Sequence, residues 1–89
     1  VERRPAARSV GHEIDVRGER AEAACALVRD YIDTVAMSGL ETVRVIHGRG
    51  TGALRAAIGE ELRRHPMVAQ TAVAAPNEGG DGATVVTLR

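Results

Sequence analysis

The sequence predicts a small α/β fold: a two-layer sandwich with element order β-α-β-α-β-β and a four-stranded mixed sheet. Two stretches with apolar residues at helical spacing lie between short β-branched runs. Gly-containing turns separate the runs from the helices that follow them. Apolar residues make up 44% of the chain yet Tyr31 is the only aromatic, so the core must be built from Val, Ile, Leu and Ala, as suits a small α/β layer. A chain of 89 residues has room for one modest core, because folding at this size buries only about 60–65% of the unfolded surface.

Residues 1–12 carry Pro, Gly, Ser and three Arg (Arg3, Arg4, Arg8) without periodicity, the pattern of a linker or flexible arm. The domain proper is expected over 13–89. Glu13-Ile14-Asp15-Val16-Arg17 alternates polar and apolar residues and stops at Gly18, a short strand. From Arg20 to Ser38 a helix is expected, with Ala21, Ala24, Val28, Tyr31, Ile32 and Val35 on its apolar face and Gly39 as its stop. Thr42–Ile46 is a β-branched second strand running into the Gly-rich segment His47–Gly52. A second helix follows with Leu54, Ile58 and Leu62 on one face, and Pro66 ends it. Arg63, Arg64 and His65 are assigned to its last turn, where the dipole favours cations. Met67–Ala75 reads as strand, Pro76–Gly82 as loop and Ala83–Leu88 as a fourth strand.

Helical crossovers join the first three strands, which should therefore run parallel with their C-terminal ends at one edge of the sheet. Open α/β sheets place ligands there. Arg17-Gly18, His47-Gly48 and the Pro76–Gly82 loop should converge at that edge.

Three glycines alternate with His, Arg and Thr in His47-Gly48-Arg49-Gly50-Thr51-Gly52. Such a turn between strand and helix directs several N–H groups at one point, an anion nest. The helix dipole and Arg49 add positive charge, and Thr51 is placed to cap the helix. A Gly-rich turn with no ligand is the plain alternative. His47 beside the nest has the side chain for moving protons near neutral pH, or for holding a phosphate by hydrogen bonding alone. By strand alternation Asp15 and Arg17 share the sheet face opposite Ile14 and Val16. They pair with each other, or Asp15 orients His47 or holds hydrated Mg²⁺ while Arg17 contacts phosphate. From the third loop Glu78 and Asp81 are candidates to add carboxylates and Asn77 and Glu78 to contact phosphate, although Asn77-Glu78-Gly79-Gly80-Asp81-Gly82 is also the composition of an ordinary turn.

Several classes are excluded or disfavoured. A formal charge of zero argues against a purely electrostatic binder, so any nucleic-acid site must be local. All twelve basic residues are Arg, which supplies forked donors for phosphate; GC-rich coding gives the same skew. Without Lys the nucleotide-triphosphate loop is impossible, and the Gly48-x-Gly50-x-x-Ala53 match lacks the acidic residue and the length of a dinucleotide fold. Cys25 has no disulfide partner and reads as a small core residue, and no zinc-ligand spacing exists. The longest apolar run, Ala23–Val28, is too short for a membrane span, so a cytoplasmic protein without membrane contact is expected. With Tyr31 on a buried helix face no aromatic remains to stack bases, and recognition should be of backbone and shape.

Ile14-Asp15-Val16-Arg17-Gly18, His47-Gly48-Arg49-Gly50-Thr51-Gly52 and Pro76-Asn77-Glu78-Gly79-Gly80-Asp81-Gly82-Ala83-Thr84, in that order and spacing, resemble the Smr (small MutS-related) domain. The likeness covers Ile14–Leu88 and is greatest to the form at the C-terminus of the second bacterial MutS paralogue. It implies a sandwich similar to the C-terminal domain of translation initiation factor three, and nicking or RNA-cleaving endonuclease activity of low sequence specificity. It also implies a larger MutS-like ATPase parent, linked with recombination suppression or ribosome rescue and expected to pair as a homodimer through other domains. Asp15, Arg17 and His47 are then the implied catalytic positions and Gly48, Arg49 and Gly50 the implied binding positions, extended by the reading above to Thr51, Gly52, Asn77 and Glu78. DNA or RNA, and through it the ribosome, is the implied partner. Many nuclease-active relatives carry His where this chain has Arg17, which keeps open a non-cleaving docking module as the alternative.

Overall fold

The computed structural model describes residues 12–89, so the expected arm over 1–12 lies, His12 aside, outside the described residues. The elements are β1 (Glu13–Asp15), α1 (Ala21–Met37), β2 (Thr42–Ile46), α2 (Ala53–Arg63), β3 (Val68–Val73) and β4 (Ala83–Leu88), with two short 3₁₀ turns between β3 and β4. The predicted order holds. Boundaries move by one or two residues where ladder bonds continue past the regular strand, as when Val16 N–H donates to Ile46 C=O at 2.8 Å and Ala74 N–H to Ala83 C=O at 3.2 Å.

The sheet order is β1-β2-β4-β3. β1 pairs parallel with β2, and β4 runs antiparallel to both β2 and β3, so β1, β2 and β3 share one direction as expected, with β4 inserted between β2 and β3. The loop after β3 folds back as a hairpin, and β4 takes the central position because Val86, the residue facing Val43 of β2 and Thr71 of β3, is fully buried. The result is the predicted two-layer α/β sandwich with a mixed sheet.

Both helices cover one sheet face. Val28, Ile32 and Val35 of α1 and Ile58 and Leu62 of α2 pack with Val43, Val45 and Val86 in one core. Burying each such side chain contributes about 1.5–3 kcal/mol. α1 stops where Gly39 takes φ +82°, a left-handed turn that a Cβ would strain. Tyr31 is half-buried beside this core, and its burial pushes the phenol pKa up. Cys25 sits between the helices, its Sγ 3.5 Å from Ala57 C=O, and burial pushes its thiol up as well.

His65 departs from the dipole role given to it. α2 ends at Arg63, and His65 turns inward, 8% exposed. Its Nδ1 accepts the Met67 N–H at 3.1 Å, so Nε2–H donates to Asp33 Oδ1 at 2.8 Å. The ring ties the end of α2 to α1 and to the start of β3. His65→Ala leaves the Met67 N–H without its partner and is expected to cost about 1–3 kcal/mol, read as a lower denaturation midpoint. An unchanged midpoint would contradict the tie.

Candidate phosphate-binding edge

β1 and β2 end side by side, and the turns that follow lead into α1 and α2, so both helices begin at the same sheet edge. Neither has a side-chain hydrogen bond from its N-cap residue, Arg20 for α1 and Gly52 for α2. Gly52 holds the cap position at φ +89°. Thr51, expected to cap, lies one residue earlier and accepts the Ala53 N–H at 3.3 Å. An α-helix needs an extended cap residue to use its side chain; the left-handed Gly52 displaces Thr51 from that place.

Within His47–Gly52 the donors divide. The His47 and Gly48 N–H groups both donate to Gly82 C=O, at 3.0 and 2.9 Å, and Gly52 N–H donates to Arg49 C=O at 3.2 Å. Those of Arg49, Gly50 and Thr51 have no partner among the described residues. The nest is thus three consecutive N–H groups, and the Gly48 and Gly52 N–H groups, engaged within the loop region, are not among them. Arg49 is exposed, and among the described residues its guanidinium has neither an ion pair nor a hydrogen bond.

Asp15 and Arg17 pair with each other. Arg17 Nη2 lies 2.6 Å from Asp15 Oδ2, Arg17 Nε 3.0 and 3.1 Å from the two oxygens, and the Arg17 N–H donates to Oδ1 at 3.0 Å. These hydrogen bonds hold the Asp15 carboxyl below its usual pKa range. Both oxygens being engaged, Asp15 does not fit the role of a Mg²⁺ ligand. Among the described residues no three of His, Cys, Asp and Glu cluster in a way that would hold a metal ion.

His47 does not meet Asp15. Val43, Val45 and His47 follow one alternation and point to the helix side, whereas Asp15 pairs with Ile46 on the opposite face. The imidazole is 4% exposed. Gly48 C=O can only accept, so Nδ1–H donates to it at 2.9 Å, and Nε2 accepts the Thr84 hydroxyl at 2.9 Å. The convergence expected of one composite site is therefore split by the sheet. On the helix side a cleft of about 300 Å³ is lined by Glu19, Ala21, His47, Arg49 and the start of α2. On the other face a hollow of about 410 Å³ is lined by Arg17, Gly48, Arg49, Gly79 and Gly82. Arg49 borders both.

Asn77 and Glu78 border neither space. Glu78 lines a different hollow with His12, Glu13 and Arg44, and its C=O accepts Arg44 Nη1 at 2.8 Å; Arg44 also pairs with Glu13. The third loop reaches the edge through its glycines instead. A Cβ on Gly82 would stand 3.5 Å from the Gly48 backbone, and one on Gly80 3.2 Å from Arg49 Nη2. Gly80 and Gly82, together with Thr84 and Glu19, are the residues that sequence reasoning missed. Close backbone approach is what a Gly-rich turn signals, and only that signal was available for the two glycines.

A pH effect follows from the Asp15 pair. The folded pKa is depressed, so its stabilisation is complete above the unfolded value of about 3.9 and is lost as pH falls through the folded value. The carboxylate is 44% exposed, and solvent screening keeps the effect small. Melting temperatures of the parent and Asp15→Asn should differ at neutral pH and converge in acid. Parallel curves down to about pH 2 would contradict the pair's contribution.

The fold and this edge define a class: a two-layer α/β domain that presents, at the C-terminal ends of its parallel strands, backbone donors and an Arg49 guanidinium that are unpaired among the described residues. The chain belongs to the Smr domain family, whose model matches residues 14–89. It is 48% identical over 77 residues to Endonuclease MutS2 of Halalkalibacterium halodurans, a match covering 86% of this chain and 10% of that protein. The chain thus spans about a tenth of the length of the curated relatives it matches. The Smr domain of Thermus thermophilus MutS2 superposes with a TM-score of 0.85 at 47% identity, over 88% of this chain and 98% of that one. YdaL, a stand-alone small MutS-related protein from Escherichia coli, gives 0.84 at 26% identity, over 89% and 65%. Among the described residues no helix is long and apolar enough to cross a membrane.

Proposed function

We propose that residues 13–89 form a nucleic-acid-binding domain that holds the phosphate backbone at this edge and cleaves it with low sequence preference, as the tail of a larger, cytoplasmic MutS-like ATPase. The observation that carries the reading is Arg49: a guanidinium that is unpaired among the described residues, with three N–H groups likewise unpartnered among them, at the start of a helix whose dipole favours an anion. Membership of a family whose relatives are named endonucleases supports the reaction class.

In the proposed reaction the oxygen of a water or a substrate hydroxyl attacks phosphorus, and a P–O ester bond breaks. The attacking oxygen gives its proton to the Thr84 hydroxyl as that hydroxyl passes its own to His47 Nε2, and a proton returns from this pair to the leaving oxygen. Arg49 and the loop N–H groups stabilise the extra negative charge on phosphorus. His47 suits both halves of this exchange, because Thr84 Oγ1 donates to the neutral ring and accepts from the protonated one without either residue moving.

The second reading is a docking module that binds DNA, RNA or a ribosome without cutting. Arg17, engaged by Asp15 at the position where the family resemblance implies His in many nuclease-active relatives, favours it. Purified protein with supercoiled plasmid and with RNA, each with and without Mg²⁺ and beside a His47→Ala control, tests both. Products from the parent alone support cleavage; salt-dependent binding without product supports docking. No affinity for either polymer at low salt removes both readings.

A further inference from the structure

Two helices do not cover the whole of a four-stranded sheet. Between α2 and β3 they leave a groove of about 530 Å³, with Arg55, Gly59 and Arg63 on its helical wall and Thr71, Val73 and Thr84 on its sheet wall. Val73 is 56% exposed although it sits opposite Thr84 on the helix-side face. The groove is continuous with the candidate site at two points. Gly52 borders both the groove and the helix-side cleft, and Thr84, which lines the groove, holds His47 Nε2.

Charge and shape single out one kind of occupant. Arg55 has no ion pair or hydrogen bond from its side chain among the described residues, and Arg63 pairs at 2.5 Å with the exposed Glu60, which lines the groove too, so the groove's net charge is that of Arg55. Arg55, Gly59 and Arg63 recur every fourth residue along one flank of α2 and span about 12 Å. An extended single strand, whose phosphates are spaced more widely than the roughly 3.4 Å axial rise of a duplex strand, places about two or three phosphates along that length. Gly59 stands in the interior of an 11-residue helix, where glycine is unfavourable. Packing does not demand it, since a Cβ there would meet only Arg63 Nη1, at 3.9 Å. What the missing side chain leaves is room in the groove, between two guanidinium groups.

We infer that the α2–β3 groove is the path along which a nucleic-acid strand leaves the nest, with Arg55 and Arg63 contacting successive phosphates beyond the one held at Arg49. The inference rests on the nucleic-acid reading of the edge and adds the direction of the strand. It brings the backbone past Thr84, on the Nε2 side of His47.

The test uses Arg55→Ala and Gly59→Leu beside Arg49→Ala, with a labelled single-stranded oligonucleotide that outruns the nest and a dinucleotide that does not. Arg55→Ala is expected to weaken the oligonucleotide roughly tenfold and to reduce the slope of log affinity against log salt by about 0.7. Gly59→Leu is expected to raise the melting temperature, because Leu favours helix, while weakening the oligonucleotide to a similar degree by filling the groove. Dinucleotide binding, followed by NMR shifts, should be unchanged in both. If both variants bind the oligonucleotide as the parent does while Arg49→Ala loses it, the groove is not the path and the nest reading survives. If Arg49→Ala also binds as the parent does, the nest reading itself fails. Loss of a concentration-dependent dimer in Gly59→Leu, with oligonucleotide affinity intact, would overturn the inference in favour of a second copy of the chain.

Discussion

His47→Ala is expected to slow strand cleavage by about 10²–10⁴-fold, the usual contribution of a positioned proton-transfer group, while affinity for uncut nucleic acid stays near that of the parent. The separation follows from where the ring sits. It is buried on the helix side, between Gly48 C=O and the Thr84 hydroxyl, whereas the unpaired charge and the unpartnered N–H groups belong to the three residues from Arg49 to Thr51. Removing the ring therefore deletes proton transfer and leaves the phosphate donors in place. Single-turnover cleavage measured beside equilibrium binding, below the melting point of the variant, distinguishes the outcomes. Thr84→Val should also slow cleavage, by less, since it removes the hydroxyl that fixes Nε2 and leaves the imidazole. Equal loss of binding and cleavage in His47→Ala would make His47 a support for the loop instead.

The element order, the strand directions and the edge where the glycines gather were legible because each rests on local pattern: β-branched runs, helical spacing and Gly at turns. The position of β4 was not, since its place between β2 and β3 is decided by Val86 meeting Val43 and Thr71 across the sheet, a contact between segments distant in the chain. The division of the site is a different case. Alternation put Asp15 on the face opposite Ile14, and the same count from Val43 through Val45 to His47 puts the imidazole on the core side. The two therefore belong to opposite faces whatever their proximity at the edge. Asn77 and Glu78 were chosen for their polar side chains, yet the loop meets the nest with backbone: Gly82 C=O takes the His47 and Gly48 N–H groups, and the next three have no partner among the described residues. A carbonyl acceptor has no side-chain signature, so the glycines around it were the only trace in the sequence. His65 shows the same limit. Its assignment to the last helical turn assumed an exposed cation, and the end of α2 at Arg63, two residues earlier, turns the ring into the interior.

Arg49→Ala is expected to weaken binding of DNA and RNA by roughly 10–100-fold, the loss of one charge-assisted contact of about 1.5–3 kcal/mol. Among the described residues its guanidinium pairs with nothing, while Arg17 is held by Asp15 and Arg44 by Glu13, so the chain's zero net charge hides a cation that forms no ion pair with a described carboxylate. Salt titration gives the effect its signature: the slope of log affinity against log salt should fall by about 0.7 for a single strand or about 0.9 for a duplex. Arg49→Lys separates charge from geometry. It should keep the slope and recover only part of the affinity, because an ammonium cannot place two parallel donors on one phosphate. Complete recovery in Arg49→Lys would mean that the loop supplies a positive point charge and no fork. Parent-like affinity in Arg49→Ala would mean that the anion, if one binds, is held by the N–H groups alone, and that the position of Arg49 between the two faces of the sheet edge has no part in recognising the backbone.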